Sequence, residues 1–195
     1  MLEKPGCRNG ETRTLILPGI GDSDAGHWQS VWQAERPDFV RVRQRDWQNA
    51  VCAEWVANLE LAVAQGDENV VLVAHSLGCL LVAHWAGQTR RKIKGALLVA
   101  PPSPDAAAAA EVFRTMTSGF LPVPVRKFDF ASIVVASSDD PYADLNFSRS
   151  CAAAWGSRIV NIGAAGHINS GLGSWGEGYA MYRQLAAYAA GPENA

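Results

Sequence analysis

The sequence has little charge, and this shortage excludes several classes of partner. Only 18% of its 195 residues are Asp, Glu, Lys or Arg, and the formal net charge is −2, whereas about 25% is typical of soluble domains. This near-balance gives no electrostatic reason to expect a nucleic acid or an anionic membrane as partner. The basic residues at 90–94 form a short cluster, which we interpret as a solvated helix end.

Cysteines and long apolar runs are also scarce. Cys7, Cys52, Cys79 and Cys151 are scattered and form no C-x-x-C pair, which excludes a disulfide framework. The four histidines show neither H-E-x-x-H nor Cys/His zinc spacing, so no metal is expected. No apolar run approaches the roughly 18 residues that span a membrane. Residues 1–6 lack the apolar region of a signal peptide, and we therefore expect a cytoplasmic protein.

The length favours a single domain spanning 1–195. At about 150 residues per domain, 195 residues leave room for one domain. The 48% of hydrophobic residues is enough for a large core. No repeat or break in composition divides the chain, and segments 1–12 and 191–195 are expected to be flexible tails.

Short apolar runs alternate along the chain with segments of helical period. Runs such as 70–74 and 96–100 contain no polar alternation, which is typical of strands buried on both faces of a parallel sheet. The pattern therefore predicts a three-layer α/β/α sandwich with a mostly parallel sheet of about six strands. Ser103 and Pro104 are expected at the N-cap and first position of the fourth helix. The expected strands are 14–17, 39–42, 70–74, 96–100, 133–136 and 158–162, and the expected helices are 27–35, 52–65, 77–87, 106–116, 144–155 and 178–189.

A serine lies between one expected strand and the helix that follows it. The segment Ala74-His75-Ser76-Leu77-Gly78 matches the nucleophile elbow G-x-S-x-G with Ala in the first position. A sharp strand-to-helix turn needs small residues two positions either side of the serine. Such a turn exposes the Ser76 hydroxyl above the sheet, and it places the Leu77 N–H at a helix N-terminus, where it can donate to an oxyanion. An ordinary turn with a serine N-cap is the alternative.

A nucleophilic serine needs a base, and the base needs an orienting carboxylate. After such an elbow the acid comes next in the chain and the histidine last. Asp139 and Asp140 follow one expected strand, and His167 follows the next in a glycine-rich loop. Asp140 is preferred because Asp-Pro initiates turns well, and Asp139 remains open. A surface histidine without a catalytic role is the alternative for His167.

The loop after the first strand, 17–23, contains two glycines. It does not fit the dinucleotide pattern G-x-G-x-x-G, because Asp24 stands where the third glycine is required. No phosphate-binding G-x-x-x-x-G-K-[ST] is present either, so no cofactor is expected. The glycines can instead turn the N–H of Ile20 toward a reacting carbonyl, where with Leu77 it would form an oxyanion hole. A tight turn without catalytic duty is the alternative.

Seven tryptophans are distributed between the expected core and loops. Trp28 and Trp175 lie in loops expected near the site, and we expect them to line the substrate pocket. His27, beside Trp28, is expected to help shape the site. For Trp32, Trp55, Trp85 and Trp155 core packing is the better interpretation.

These motifs together resemble the small bacterial serine hydrolases that are related to the human retinoblastoma-binding serine hydrolase family. The resemblance covers residues 13–190 and implies an α/β-hydrolase fold, carboxylesterase-like activity, and Ser76, Asp140 and His167 as triad. The short chain leaves no room for a lid domain. The L-x-C-x-E motif has no counterpart, because Ala50 replaces its leucine, so no retinoblastoma-type partner is expected. The motifs that carry the resemblance are Leu17-Pro18-Gly19-x-Gly21, His27-Trp28, the elbow at 74–78, 139–142, Gly166-His167-Ile168-Asn169 and 171–175.

The sequence thus predicts a serine hydrolase that cleaves small carboxylic esters, or activated amides and thioesters, through an acyl-enzyme. The expected ligand is a small acyl donor, and the short chain predicts a site covered by at most one helix. The alternative is a protein-interaction module on a hydrolase scaffold, with weak or vestigial activity.

Overall fold

A six-stranded parallel sheet with helices on both faces forms the centre of the molecule. The computed structural model describes residues 12–66 and 68–187. The strands are β1 (Arg13–Leu17), β2 (Phe39–Arg41), β3 (Ala50–Val51), β4 (Val70–His75), β5 (Gly95–Val99), β6 (Thr117–Ser118), β7 (Ala131–Ala136) and β8 (Arg158–Asn161). The helices are α1 (Trp28–Glu35), α2 (Cys52–Ala64), α3 (Leu77–Ala86), α4 (Ala107–Met116), α5 (Leu145–Trp155) and α6 (Gly176–Ala186).

The strand order determines where a site can form. The order is β2-β1-β4-β5-β7-β8, and every neighbouring pair is parallel. From β1 the chain moves outward to β2, whereas from β4 it moves outward in the opposite direction to β5. The carboxyl ends of β1 and β4 therefore flank a topological switch point, where open parallel sheets bind ligands. The expected α/β/α sandwich of about six strands is confirmed.

Alternate residues of the central strands pack into two different hydrophobic layers. In β4, Leu72 and Ala74 pack with the side chains of α2, α3 and α5, whereas Val71 and Val73 pack with those of α1 and α6. All six residues of β4 are buried, as its uninterrupted apolar sequence predicts. The first layer contains Trp55, Trp85 and Trp155, so the core role expected for these three is confirmed.

The structure differs from the sequence-based expectation at several boundaries. A two-stranded parallel sheet pairs β3 with β6, and no apolar pattern indicated it because each strand has only two residues. Ser103 is not the N-cap of α4. Pro104 is not its first residue either. The helix is preceded by Ala106 without a side-chain cap, because Ser103 starts a separate turn, in which its hydroxyl accepts the Asp105 N–H (3.3 Å) and its carbonyl accepts the Ala106 N–H (3.2 Å).

The tails expected to be flexible lie outside the described residues, except Thr12. Its hydroxyl accepts a hydrogen bond from Lys94 Nζ (3.0 Å). Cys7 lies outside as well. Cys52, Cys79 and Cys151 are buried free thiols, and burial raises the pKa of Cys52 to about 11 and that of Cys151 to about 12.

In the described part of the chain, no helix has the length and apolar character needed to cross a membrane. The same residues contain no cluster of three or more His, Cys, Asp or Glu side chains arranged to hold a metal ion.

Candidate active site

Ser76 occupies the sharp turn between β4 and α3. Its backbone has φ 54° and ψ −126°, a region that costs a non-glycine residue about 1–3 kcal/mol. The Ser76 N–H donates to the Val99 carbonyl (2.9 Å), which fixes the turn to the neighbouring strand. A Cβ on Gly78 would collide with the carbonyl oxygen of Leu17. Glycine is thus required at position 78, two residues after the serine, because α3 begins directly against the end of β1.

Three side chains predicted from chain order come together at this turn. His167 Nε2 lies 2.9 Å from Ser76 Oγ, and His167 Nδ1 lies 2.8 Å from Asp140 Oδ2 and 2.9 Å from Asp140 Oδ1. When Nδ1–H donates to the carboxylate, Nε2 is left as the acceptor for the serine hydroxyl. The side chains of His167 and Asp140 are only 8% and 3% exposed, so little water competes for these bonds.

Asp139 supports the histidine loop instead of the histidine ring. Its Oδ1 accepts hydrogen bonds from the Ser137 hydroxyl (2.7 Å) and from the N–H groups of Ala165 (2.9 Å) and Gly166 (2.8 Å). These bonds, with that of the Ser137 hydroxyl first, lower the pKa of Asp139. The two adjacent aspartates therefore have separate positions, with Asp140 on the imidazole and Asp139 on the backbone that carries it.

The loop carrying His167 has to reach back from β8 toward β4, and buried side chains hold it there. His75 Nε2–H donates to the His167 carbonyl (2.8 Å). Burial lowers the pKa of His75 well below its ordinary value, so the ring stays neutral and keeps this donor role. Trp28 Nε1–H donates to the Ile168 carbonyl (2.8 Å), and Trp32 Nε1–H donates to the Ser174 carbonyl (2.7 Å).

The positions of Trp28 and Trp175 correct the expectation that they line the substrate pocket. Trp28 is fully buried and Trp175 is 6% exposed, and their rings pack against each other at 5.0 Å between centroids. Neither is among the residues lining the cavity above Ser76. The reason is the chemistry of indole, which offers a large apolar surface and one N–H. Trp28 uses both to anchor the His167 loop to the core.

The loop after β1 approaches the nucleophile closely. A Cβ added to Gly19 would lie 2.8 Å from Ser76 Cβ, 3.2 Å from Ser76 Oγ and 3.3 Å from the Leu77 nitrogen. The Gly19–Ile20 peptide therefore borders both the serine hydroxyl and the start of α3. Within residues 12–66 and 68–187, the N–H groups of Ile20 and Leu77 have no hydrogen-bond acceptor. The structure thus brings both expected oxyanion donors beside Ser76.

A cavity of about 200 Å3 lies above Ser76, smaller than the roughly 300–1,000 Å3 of most ligand pockets. One wall is apolar and includes Ala109, Val112 and Phe113, which recur at i, i+3 and i+4 and so form one face of α4. Polar side chains also line the cavity, and they include His27 and Asn169 besides His167. The expected single covering helix corresponds to α4.

His27 is the functional candidate that sequence reasoning described only vaguely. Its ring is 5% exposed, and Nδ1 accepts the Gln29 N–H (3.1 Å), which caps α1. Burial, the largest cause, lowers the pKa of His27 to about 4, so the ring is neutral near pH 7. Nε2 is buried and has no partner among the described residues. Histidine next to tryptophan was the available signal, but the orphaned nitrogen is visible only in three dimensions.

Comparison with known proteins identifies the family of this chain. The family model named Serine hydrolase matches residues 14–184. The chain belongs to the serine hydrolase family. A YdeN-like hydrolase from Pectobacterium atrosepticum is 31% identical to this serine hydrolase, with a TM-score of 0.76 over 91% of this chain and 90% of that chain. Among curated proteins, no relative matches.

More distant structures share the fold of this serine hydrolase, and we compare them for fold only. The ydeN gene product of Bacillus subtilis is 21% identical, with a TM-score of 0.68 over 91% of this chain and 98% of that chain. Est1E from Butyrivibrio proteoclasticus, solved with ferulic acid, is 15% identical, with a TM-score of 0.64 over 90% of each chain. The expected α/β-hydrolase fold is confirmed. The link to the human retinoblastoma-binding branch stays a prediction.

Proposed function

We propose that this serine hydrolase cleaves small carboxylic esters through a covalent acyl-enzyme, with Ser76, His167 and Asp140 as catalytic triad. The observation that carries the proposal is the continuous chain of hydrogen bonds from Ser76 Oγ through both nitrogens of His167 to the Asp140 carboxylate, at 2.8–2.9 Å. The same arrangement serves acyl transfer on unrelated folds.

In the proposed mechanism, the Ser76 oxygen attacks the ester carbonyl carbon while His167 Nε2 removes the hydroxyl proton. The carbonyl oxygen becomes an oxyanion, which the N–H groups of Ile20 and Leu77 stabilise. Asp140 fixes the Nδ1–H tautomer and stabilises the imidazolium. The imidazolium then gives its proton to the leaving alcohol as the carbon–oxygen bond breaks. Water, activated by the same histidine, hydrolyses the acyl-enzyme and regenerates Ser76.

The cavity supports a short, apolar acyl group as the substrate. At the tetrahedral carbon, one bond leads to Ser76, one to the oxyanion donors, and one to the leaving oxygen beside His167. The fourth bond carries the acyl chain, and it points to the remaining wall, formed by Val112 and Phe113 on α4. Because the volume is only about 200 Å3, we expect acetyl to butyryl esters to be preferred over long-chain esters.

The alternative of an interaction module with a vestigial triad is less well supported. A vestigial site would have no need for the hydrogen bonds that Asp139, His75 and Trp28 make to the loop carrying His167. These bonds restrain the base rather than an outer surface. No partner protein and no cofactor is included in the proposal.

The proposal is tested with a fluorophosphonate probe and with 4-nitrophenyl acetate and butyrate. We expect the probe to label wild type and not Ser76→Ala, and hydrolysis to fall by several orders of magnitude in the variant. Ser148→Ala is a matched control, because this serine is buried in α5 away from the cavity. Folded wild-type protein that neither reacts with the probe nor hydrolyses either ester would refute the proposal.

A further inference from the structure

One residue that lines the cavity carries a buried polar atom with no role in the proposed mechanism. His27 Nε2 is the buried side-chain nitrogen or oxygen that lacks a hydrogen-bond partner in the described chain. Because Nδ1 accepts the Gln29 N–H, the ring proton of a neutral imidazole has to be on Nε2. The orphaned atom is therefore an N–H donor. A buried donor without an acceptor is unfavourable, and in a binding cavity its missing acceptor is naturally supplied by a ligand.

The location of His27 decides which part of a substrate it would meet. The rings of His27, His75 and His167 form a row, with centroids 4.7 Å and 4.9 Å apart. The backbone of His27 also pairs with that of Ser170, three residues beyond His167. His27 thus lines the cavity on the side of His75 and His167.

The reaction places the leaving alcohol on that same side. His167 Nε2 has to reach the leaving oxygen in order to protonate it, so the alcohol portion of an ester extends along the wall that carries His27. His75 cannot bind the alcohol through Nε2, because this atom is bonded to the His167 carbonyl. Asn169 lies on the same wall but is exposed, where water satisfies its amide.

We propose that His27 determines specificity for the leaving group, and that the Nε2–H binds esters whose alcohol portion carries a hydrogen-bond acceptor such as an ether, carbonyl or hydroxyl oxygen. The inference rests on the proposed ester hydrolysis and adds to it a class of alcohol. An alkyl alcohol leaves the buried donor unpaired in the bound complex, whereas an acceptor oxygen pairs with it. Sites that hydrogen-bond a substrate discriminate strongly against analogues that lack the bonding group.

Matched esters test this directly, since a single oxygen can replace a single methylene. We compare 2-methoxyethyl acetate with butyl acetate and 3-methoxypropyl acetate with pentyl acetate, measuring kcat/KM for each. In wild type we expect kcat/KM for the ether ester to exceed kcat/KM for the matched alkyl ester by about 10–100-fold in at least one of the two pairs. Ratios near 1 in both pairs, with measurable hydrolysis, would overturn the inference and leave the hydrolase proposal intact. No hydrolysis of any ester would instead refute the hydrolase proposal.

Two substitutions separate the capping role of His27 from its donor role. In His27→Asn the amide oxygen replaces Nδ1 as cap of α1 and no atom replaces Nε2, so the ether preference should fall to about 1. In His27→Gln the amide nitrogen reaches the position of Nε2, so part of the preference should remain although the cap is lost. His84→Asn is the control, because His84 binds the Phe120 carbonyl outside the cavity, and it should keep the wild-type ratio. A wild-type ratio in His27→Asn would contradict the assignment.

Discussion

Replacing Gly19 by alanine should inactivate the enzyme while leaving the fold in place. The added Cβ would lie 2.8 Å from Ser76 Cβ, whereas carbon atoms in contact are about 3.5–4.0 Å apart. Ser76 or the β1–α1 loop therefore has to move by about 1 Å. Either shift displaces the nucleophile relative to the Ile20 N–H, and the Cβ also comes within 3.3 Å of the Leu77 nitrogen.

The size of the effect follows from what is displaced. Loss of one oxyanion donor costs about 10²–10³ in kcat, and a misplacement of about 1 Å can cost about 10²-fold. We therefore expect kcat for 4-nitrophenyl butyrate to fall at least about 10²-fold in Gly19→Ala. Overpacking of this kind costs about 1–3 kcal/mol of unfolding free energy, which a urea titration measures.

A second glycine in the same loop provides the control. In Gly26→Ala the added Cβ would have its nearest neighbours at 3.4 Å and 3.9 Å, close to ordinary contact distances, so activity should stay within about threefold of wild type. If Gly19→Ala hydrolysed the ester at the wild-type rate, the Gly19–Ile20 peptide would not border the oxyanion, and the assignment of Ile20 would be wrong.

Three further predictions follow from the contacts described above. Asp140→Asn should lower kcat about 10³–10⁴-fold, whereas Asp139→Asn should lower the melting temperature and reduce kcat less than 10-fold, as thermal melts and steady-state kinetics would show. Protonation of His27, whose pKa is about 4 in the folded protein against an ordinary value of 6.5, favours the unfolded chain below pH 6.5. This protonation should therefore reduce the unfolding free energy by about 2 kcal/mol between pH 7 and 5. In urea titrations, His27→Gln should lose about 2 kcal/mol less than wild type over the same pH range. Phe113→Ala should raise kcat/KM for 4-nitrophenyl hexanoate relative to butyrate about 10-fold, since a methylene in an apolar pocket is worth that order.

Much of the fold could be predicted because its signals are local. The uninterrupted apolar sequence of β4 indicates burial on both faces, and the helical stripe of α2 follows in the same way. Ser76 and His167 could be placed because each follows the carboxyl end of a parallel strand, and these ends share the sheet edge at which the two side chains meet. Asp140 was preferred to Asp139 because it precedes Pro141, and the family resemblance supported that choice, but Asp139 stayed open since both carboxylates follow the same strand.

The remaining features depend on contacts between distant segments. Trp28 was expected to face substrate, and its true partner is the Ile168 carbonyl, 140 residues away. The pairing of β3 with β6 involves residues 50–51 and 117–118, which carry no local strand signal. The unpaired nitrogen of His27 is likewise invisible in sequence, because a hydrogen-bond vacancy is defined by what surrounds the atom.

The left-handed backbone of Ser76 has a consequence for the stability of this protein. A residue with a Cβ at φ 54° and ψ −126° makes the folded chain less stable than glycine would, so Ser76→Gly is expected to raise the melting temperature while abolishing hydrolysis. Measuring both in one variant shows how far stability and catalysis oppose each other at this position. The strained turn is thus a cost to folding that the proposed chemistry of this serine would offset.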